Sequence, residues 1–243
     1  MRTSSTIRSA VRGLAFGAGL TASAYACWVA MAWRGYGHPA RPEDPDEQDA
    51  LLDRFMPAYD VAERHRIAVA APPAVTLEAA REMHLFDLPV ARTIFRAREI
   101  VLGSAPDDED RPKGLLAMTQ SIGWRILAET PGREIVVGAV TKPWEPNPVF
   151  RGVDPGAFAA FDEPDYVKIV WTLRADPDGP EGSVFRTETR AVATDVEAAL
   201  KFRRYWAFLS AGIILIRQAS LRPLKRDAER RARSHAAATA ATP

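Results

Sequence analysis

Two short charged patterns stand out in a chain otherwise poor in reactive groups. The first is Glu63-Arg64-His65, set in the alternating run Val61-Ala62-Glu63-Arg64-His65-Arg66-Ile67-Ala68-Val69. Residues two apart in a strand share a face, so His65 and Glu63 side with Val61, Ile67 and Val69, while Arg64 and Arg66 point the other way. A histidine and a carboxylate in apolar surroundings form a usable general acid/base pair. The commoner alternative is a strand-end histidine hydrogen-bonded to a backbone carbonyl. The second pattern is Glu188-Thr189-Arg190, with Lys168 on a neighbouring expected strand. Facing inward, Glu188 and Arg190 would orient a ligand carboxylate or hydroxyl, or act as an acid/base set. Facing outward, they form a solvated ladder worth little. The two-residue period puts Phe185, Thr187 and Thr189 on the more inward face, which favours the ladder.

Other chemistries lack their residues. There is no GxSxG elbow, no phosphate-binding glycine loop and no HExxH pair. The single cysteine, Cys27, excludes an internal disulfide framework and a cysteine-based zinc site. His38, His65, His84 and His235 have no metal-ligand spacing, so no metal and no cofactor is called for. The 243 residues carry a net charge of +1, with 47% apolar and 26% charged residues. That composition suits one well-packed domain with appendages and carries no signal for a nucleic-acid partner.

The elements that would position these groups read as follows. Val61–Val69 is a first strand, ended by Pro72-Pro73. Val75–Met83 and Leu88–Val101 are helices, and Gly103–Gly114 an acidic loop. Gln120–Glu129 and Arg133–Val140 are strands joined at Thr130-Pro131-Gly132. A long irregular segment, Thr141–Asp165, holds Trp144, Phe150, Phe158 and Phe161, with one short helix starting at Asp154-Pro155. Segments of this length inside a domain are often functional. Tyr166–Ala175 and Val184–Val192 alternate as strands. Asp195 then caps the longest helical pattern, with Val196, Ala199, Leu200, Arg203, Trp206 and Leu209 on one face and Phe202, Tyr205, Phe208 and Ile213 beside it. A helix this apolar requires a sheet to cover it. After Pro223 the chain turns charged and then Ala/Thr-rich, reading as a frayed basic end and a tail over 226–243.

Three stretches carry a resemblance: Glu63 to Pro73, with its strand ending in Ala-Ala-Pro-Pro; Gly132-Arg133-Glu134-Ile135-Val136-Val137-Gly138; and Thr187-Glu188-Thr189-Arg190 ahead of the Phe202–Tyr205–Trp206 helix. Together they resemble the START-like helix-grip superfamily, also labelled SRPBCC or polyketide cyclase/dehydrase-like. The resemblance covers Tyr59 to Lys225 and concerns architecture, not a reaction. It implies an α+β domain, about 58–225, whose curved antiparallel sheet wraps a long C-terminal helix and leaves a cavity for a lipid, sterol, polyketide or other apolar ligand. Trp124, Trp171, Phe185, Tyr205 and Trp206 would supply its rings, with Thr187 and Thr189 on the inward face. Trp144, Phe150 and Phe158 would form a lid. The plain alternative is that these rings are simply core.

The N-terminus adds a membrane expectation. Leu14 to Trp33 is twenty residues without a charge, about the length that spans a bilayer core. Residues 1–13 are basic, and 34–57 form a Pro-rich acidic linker with one helical turn from Asp49 to Phe55. Arg2, Arg8 and Arg12 against Arg34 and Arg41 lean toward an outward-facing domain. Ala24-Tyr25-Ala26 also fits a cleavage site, but the apolar run continues past it. Three functions remain open: a membrane-anchored binder or carrier of a hydrophobic molecule such as a lipid, quinone or polyketide; a cyclase- or dehydratase-like enzyme using His65, Glu63 or Glu188; and an interaction module with a vestigial cavity.

Overall fold

Five alternating segments pair into one antiparallel sheet in the order β1-β5-β4-β3-β2. They are β1 (Val61–Val69), β2 (Arg125–Thr130), β3 (Glu134–Thr141), β4 (Val167–Asp178) and β5 (Gly182–Ala193). The computed structural model describes residues 22–42, 44–103 and 112–240. Helices are α1 (residues 22–35), α2 (Ala50–Asp53), α3 (Pro73–Glu82), α4 (Pro89–Leu102), α5 (Leu115–Ser121), α6 (Pro155–Phe158) and α7 (Val196–Ala240). This curved sheet with a long C-terminal helix is the α+β layout that the resemblance implies. One expected strand differs: Gln120 and Ser121 close the short helix α5, and β2 starts at Arg125.

Register fixes which side chains look at α7. His65 lies opposite Thr187, Glu63 opposite Thr189 and Ile67 opposite Phe185. Thr189 in turn lies opposite Trp171, which lies opposite Val137. These residues share the concave face, and two packed groups cover its ends. Phe202 and Trp206 of α7 bury against Val61, Val167 and Ala191 at one end. Leu224 and Ala228 of α7 and Leu77 and Ala80 of α3 bury against Phe185, Leu173 and Ala175 at the other. Each large apolar side chain so buried stabilises by about 1.5–3 kcal/mol. The inward stripe of α7 therefore holds Phe202 and Trp206, whereas Val196 and Leu200, which share a face with Trp206 on the helical period, are exposed.

The convex face is buried too. Leu52, Phe55 and Met56 pack on Val136, Val140 and Val170 together with Phe158 from α6. Gly138 makes this possible, because a Cβ there would stand 2.5 Å from Leu127 Cδ1 and 2.9 Å from Phe158 Cε2. The segment that reads as a linker before the domain is thus stitched onto the sheet. Arg174 Nη1 donates to Gln48 O (2.8 Å) and Arg64 Nη1 to Ala40 O (2.7 Å). α2 carries the expected helical turn, with Asp49 accepting from Leu52 N at 2.8 Å.

Asp195 caps α7 as its position predicts. Its Oδ1 accepts from Ala198 N (2.8 Å) and its other oxygen from Asp165 N. Those backbone donors, Ala198 first, hold its carboxyl below the usual range. Asp165 sits at φ 65°, a region that short polar residues tolerate, and holds Lys142 and Lys201 at 2.8 Å each. This knot ties the start of β4 to the start of α7.

The expected fraying at Pro223 is corrected. α7 runs through Pro223 to Ala240, because its continuing face is packed: Leu224 and Ala228 are buried, Lys225 Nζ donates to Ala68 O (2.8 Å), and Glu229 accepts from Ala70 N (3.0 Å). Burial outweighs the hydrogen bond that proline removes. Among the described residues no helix is long and apolar enough to cross a membrane. Residues 14–21 of the apolar run, Arg2, Arg8, Arg12 and most of the acidic 103–114 loop lie outside the described residues. Leu224→Ala is expected to cost about 2–5 kcal/mol in urea unfolding, the range for truncating a buried leucine. A loss under about 0.5 kcal/mol, as at an exposed site, would mean that α7 beyond Pro223 is not part of the packed fold.

Candidate functional site

The two packed groups on the concave face do not meet. Between them lies a cavity of about 440 Å³. Its floor is Trp171 and Leu173 of β4 with Phe185 and Thr187 of β5. α7 forms one wall through Tyr205, Leu209, Gly212, Ile213, Ile216 and Arg217. α4 forms the roof through Ile94, Phe95, Ala97, Arg98 and Val101, and Tyr25 of α1 stands at the rim. The α4 roof exists because that helix is amphipathic and has no sheet of its own to cover. Phe95 stacks on Phe86 at 5.1 Å between centroids. Gly212 lets α4 and α7 approach closely, since a Cβ there would meet Ile94 Cγ2 at 2.8 Å. Tyr25 Oη donates to Phe208 O (2.7 Å) and Trp28 Nε1 to Ser210 Oγ (3.2 Å), holding α1 along α7.

The predicted rings divide. Trp171, Phe185, Thr187 and Tyr205 line the cavity. Trp206 is core against β1 and β4, and Thr189 is on the same face but off the cavity wall. Trp124 packs edge-on to Trp171 at 6.3 Å and against Phe150 at 5.2 Å. None of the three expected lid rings covers the cavity. Phe158 is fully buried on the convex side against Phe55. Trp144 packs beside α7 under Lys201. Phe150 reaches Trp124 because Gly123 has no Cβ to collide with Phe150 O. The long 141–165 segment clasps the sheet edge and convex face, and the lid is α4.

The candidate acid/base groups also divide. Glu188 is on the convex face, as the period-2 reading favours, yet it is buried and not solvated. Its Oε1 accepts from Arg64 Nη2 and Arg190 Nε, both at 2.7 Å. Arg190 also donates to Met56 O (2.8 Å) and stacks on Tyr59 at 4.6 Å. Lys168 stands apart from this group and donates to Ala159 O (2.8 Å). A small hollow of about 180 Å³ beside the network has four arginines and three acids on its wall, so its charges nearly balance. Glu63 and His65 face α7, as read, but neither forms the cavity wall. Burial pushes the Glu63 carboxyl up, against the pull of Arg217 and Arg64. Burial, with Arg217 adding to it, pushes the His65 imidazole down. His65 Nε2 and Thr189 Oγ1 are buried without a hydrogen-bond partner.

Arg217 is the group that sequence reasoning missed. Its one visible sign is position: a lone charge after Gly212-Ile213-Ile214-Leu215-Ile216. The residue is half-buried, and its side chain forms part of the cavity wall. Burial lowers its pKa to about 10, with Glu63 opposing. Nη1 donates to Thr187 Oγ1 (3.2 Å), whose own proton goes to Thr172 O (2.7 Å).

No known family model matches the chain, and no curated protein does. Solved structures similar to it include a hypothetical protein of Helicobacter pylori (8% identity, TM-score 0.37, covering 77% of this chain and 98% of that one). Others are the Zhui aromatase/cyclase from a Streptomyces species (18%, TM-score 0.27, 70% and 94%) and CalU16 from Micromonospora echinospora (13%, TM-score 0.25, 71% and 86%). At scores this low the likeness bears on neither family nor function.

The desolvated imidazole gives a direct test. In an NMR titration His65 is expected to gain its proton below the ordinary value of 6.5. The unfolded chain then binds more protons than the folded one just below pH 6.5, so His65 contributes stability above that pH which is lost as pH falls. His65→Gln should flatten this slope. A His65 midpoint at or above 6.5 would contradict its placement.

Proposed function

We propose that this protein binds a hydrophobic small molecule in the cavity between α4, α7 and the sheet, as a binder or carrier. The observation that carries this reading is the cavity itself, of a size typical of small-molecule sites and mostly apolar with few placed polar groups. An enzyme of the cyclase or dehydratase kind needs its acid and base at the reacting atoms. Glu63 and His65 stand off the cavity wall, and Glu188 is committed to a convex-face network, which weighs against that reading. A vestigial cavity would be packed shut, which this one is not.

The proposal extends to the membrane. The uncharged run Leu14–Trp33 supports a tether, and the part of it described, α1, lies along α7 with Tyr25 at the cavity rim. Exposed Val101 and Phe208 also line the cavity. An apolar ligand would then pass between lipid and cavity past these residues.

A neutral apolar dye, N-phenyl-1-naphthylamine, tests the cavity on the full chain purified without detergent. The wild type is expected to bind it and brighten it. Ala97→Trp, which adds a ring to the roof from a surface position, should weaken binding by about ten-fold or more, about 1.4 kcal/mol. No dye binding by the wild type, or equal binding by the variant, would overturn the assignment of this cavity.

A further inference from the structure

Two arginines, Arg98 and Arg217, stand on the wall of the cavity, and among the described residues no acidic residue does. An apolar hollow with that composition is not neutral. Arg217 is the deeper of the two cations. A guanidinium carries five N–H donors in a planar fork. Among the described residues it makes one hydrogen bond, to Thr187 Oγ1, and no ion pair. The wall it shares is mostly apolar, with Phe185, Leu209, Ile213 and Ile216. A half-buried guanidinium against apolar walls gains from an anionic partner. Glu63 is close enough to act on the charge but makes no contact with it, and burial disfavours the Glu63 anion. His65, beside it on β1, offers no negative charge. The Thr187 hydroxyl has given its proton to Thr172 O, so it only fixes the fork's direction.

We infer that the ligand is an anionic amphiphile, an apolar body ending in one carboxylate, and that the free edge of the Arg217 guanidinium receives that carboxylate inside the cavity. The inference rests on the binding function proposed above and names the class of its ligand. A carboxylate suits the site better than a phosphate. One planar fork matches two carboxylate oxygens, whereas a phosphate dianion would meet only this one deep cation. The arrangement also orients the ligand: its polar end lies toward β5 and its apolar body toward the α4 roof, beneath Phe95 and Val101.

The test uses three probes of one chain length: dodecanoate, dodecanol and dodecyl phosphate. Each is titrated at pH 8 by dye displacement into the full chain and its Arg217→Met, Arg217→Lys and Arg98→Gln variants. The wild type is expected to bind dodecanoate at least about ten-fold more tightly than dodecanol, as a charge-assisted pair would give. In Arg217→Met the acid should fall to the level of the alcohol. Should Arg217→Met fail to fold, Arg217→Lys, which keeps the charge without the fork, should lose most of the preference. Equal binding of acid and alcohol by the wild type overturns this inference and leaves the cavity reading standing. So does a preference that survives in Arg217→Met but disappears in Arg98→Gln. Phosphate binding ten-fold tighter than dodecanoate overturns the carboxylate assignment. Failure of all three probes to bind overturns the binding reading together with the inference.

Discussion

One helix laid on one sheet face is the constraint from which the rest follows. The sheet is buried on both sides, so each face must be covered by something else in the chain. α7 covers the concave face at its two ends, through Phe202 and Trp206 near its start and through Leu224 and Ala228 beyond Pro223. In the middle the helix lines the cavity through Gly212, Ile213 and Ile216, and Arg217 reaches Thr187 of β5. The hollow there follows from two anchored ends and an unfilled middle. α4 roofs it, and Gly212 sets how close that roof comes.

The charges are sorted by face. On the convex side, Arg64, Glu188, Arg190 and Asp53 form a connected set in which every cation has an acid or a carbonyl. Such a set is expensive to break, since removing one partner of a buried pair costs about 3–5 kcal/mol. Its work is to fasten the 40–59 segment to the sheet. On the concave side Arg217 has the Thr187 hydroxyl as its hydrogen-bond partner, feels Glu63 without pairing with it, and shares a mostly apolar cavity wall. The same residue type therefore serves two ends: ion-paired arginines hold the chain together, and Arg217, with no ion pair among the described residues, stands on the cavity wall.

The fold was largely legible because alternation and helical period report burial directly. β1 has the bounds its alternation predicts, and the period-2 reading placed Thr187 inward and Glu188 outward. Asp195 and Asp154 cap as their positions indicate. What failed depended on long-range packing. Proline normally ends a helix, and only the sheet and α3 explain why α7 continues. The acids and prolines of 34–57 read as solvated linker, because nothing local shows that arginines from the sheet will receive the segment's carbonyls. Glu188 and Arg190 read as a surface ladder for the same reason. In the site, the floor was readable from strand faces: Trp171, Phe185 and Thr187. The lid was not, since rings in a long irregular segment look like a lid whichever face they land on. Arg217 was visible as a lone charge in an apolar run, but its meaning depends on the cavity beside it.

The central claim is that the space between α4, α7 and the sheet is a built ligand site with Arg217 at its polar end. A crystal structure of the full chain soaked with dodecanoate tests it most directly. The account predicts continuous density along the cavity, its apolar end beneath Phe95 and its carboxylate paired with the Arg217 guanidinium. Phe95 and Phe208 folded in to fill the space, with Arg217 paired to Glu63 and no density between the helices, would contradict it.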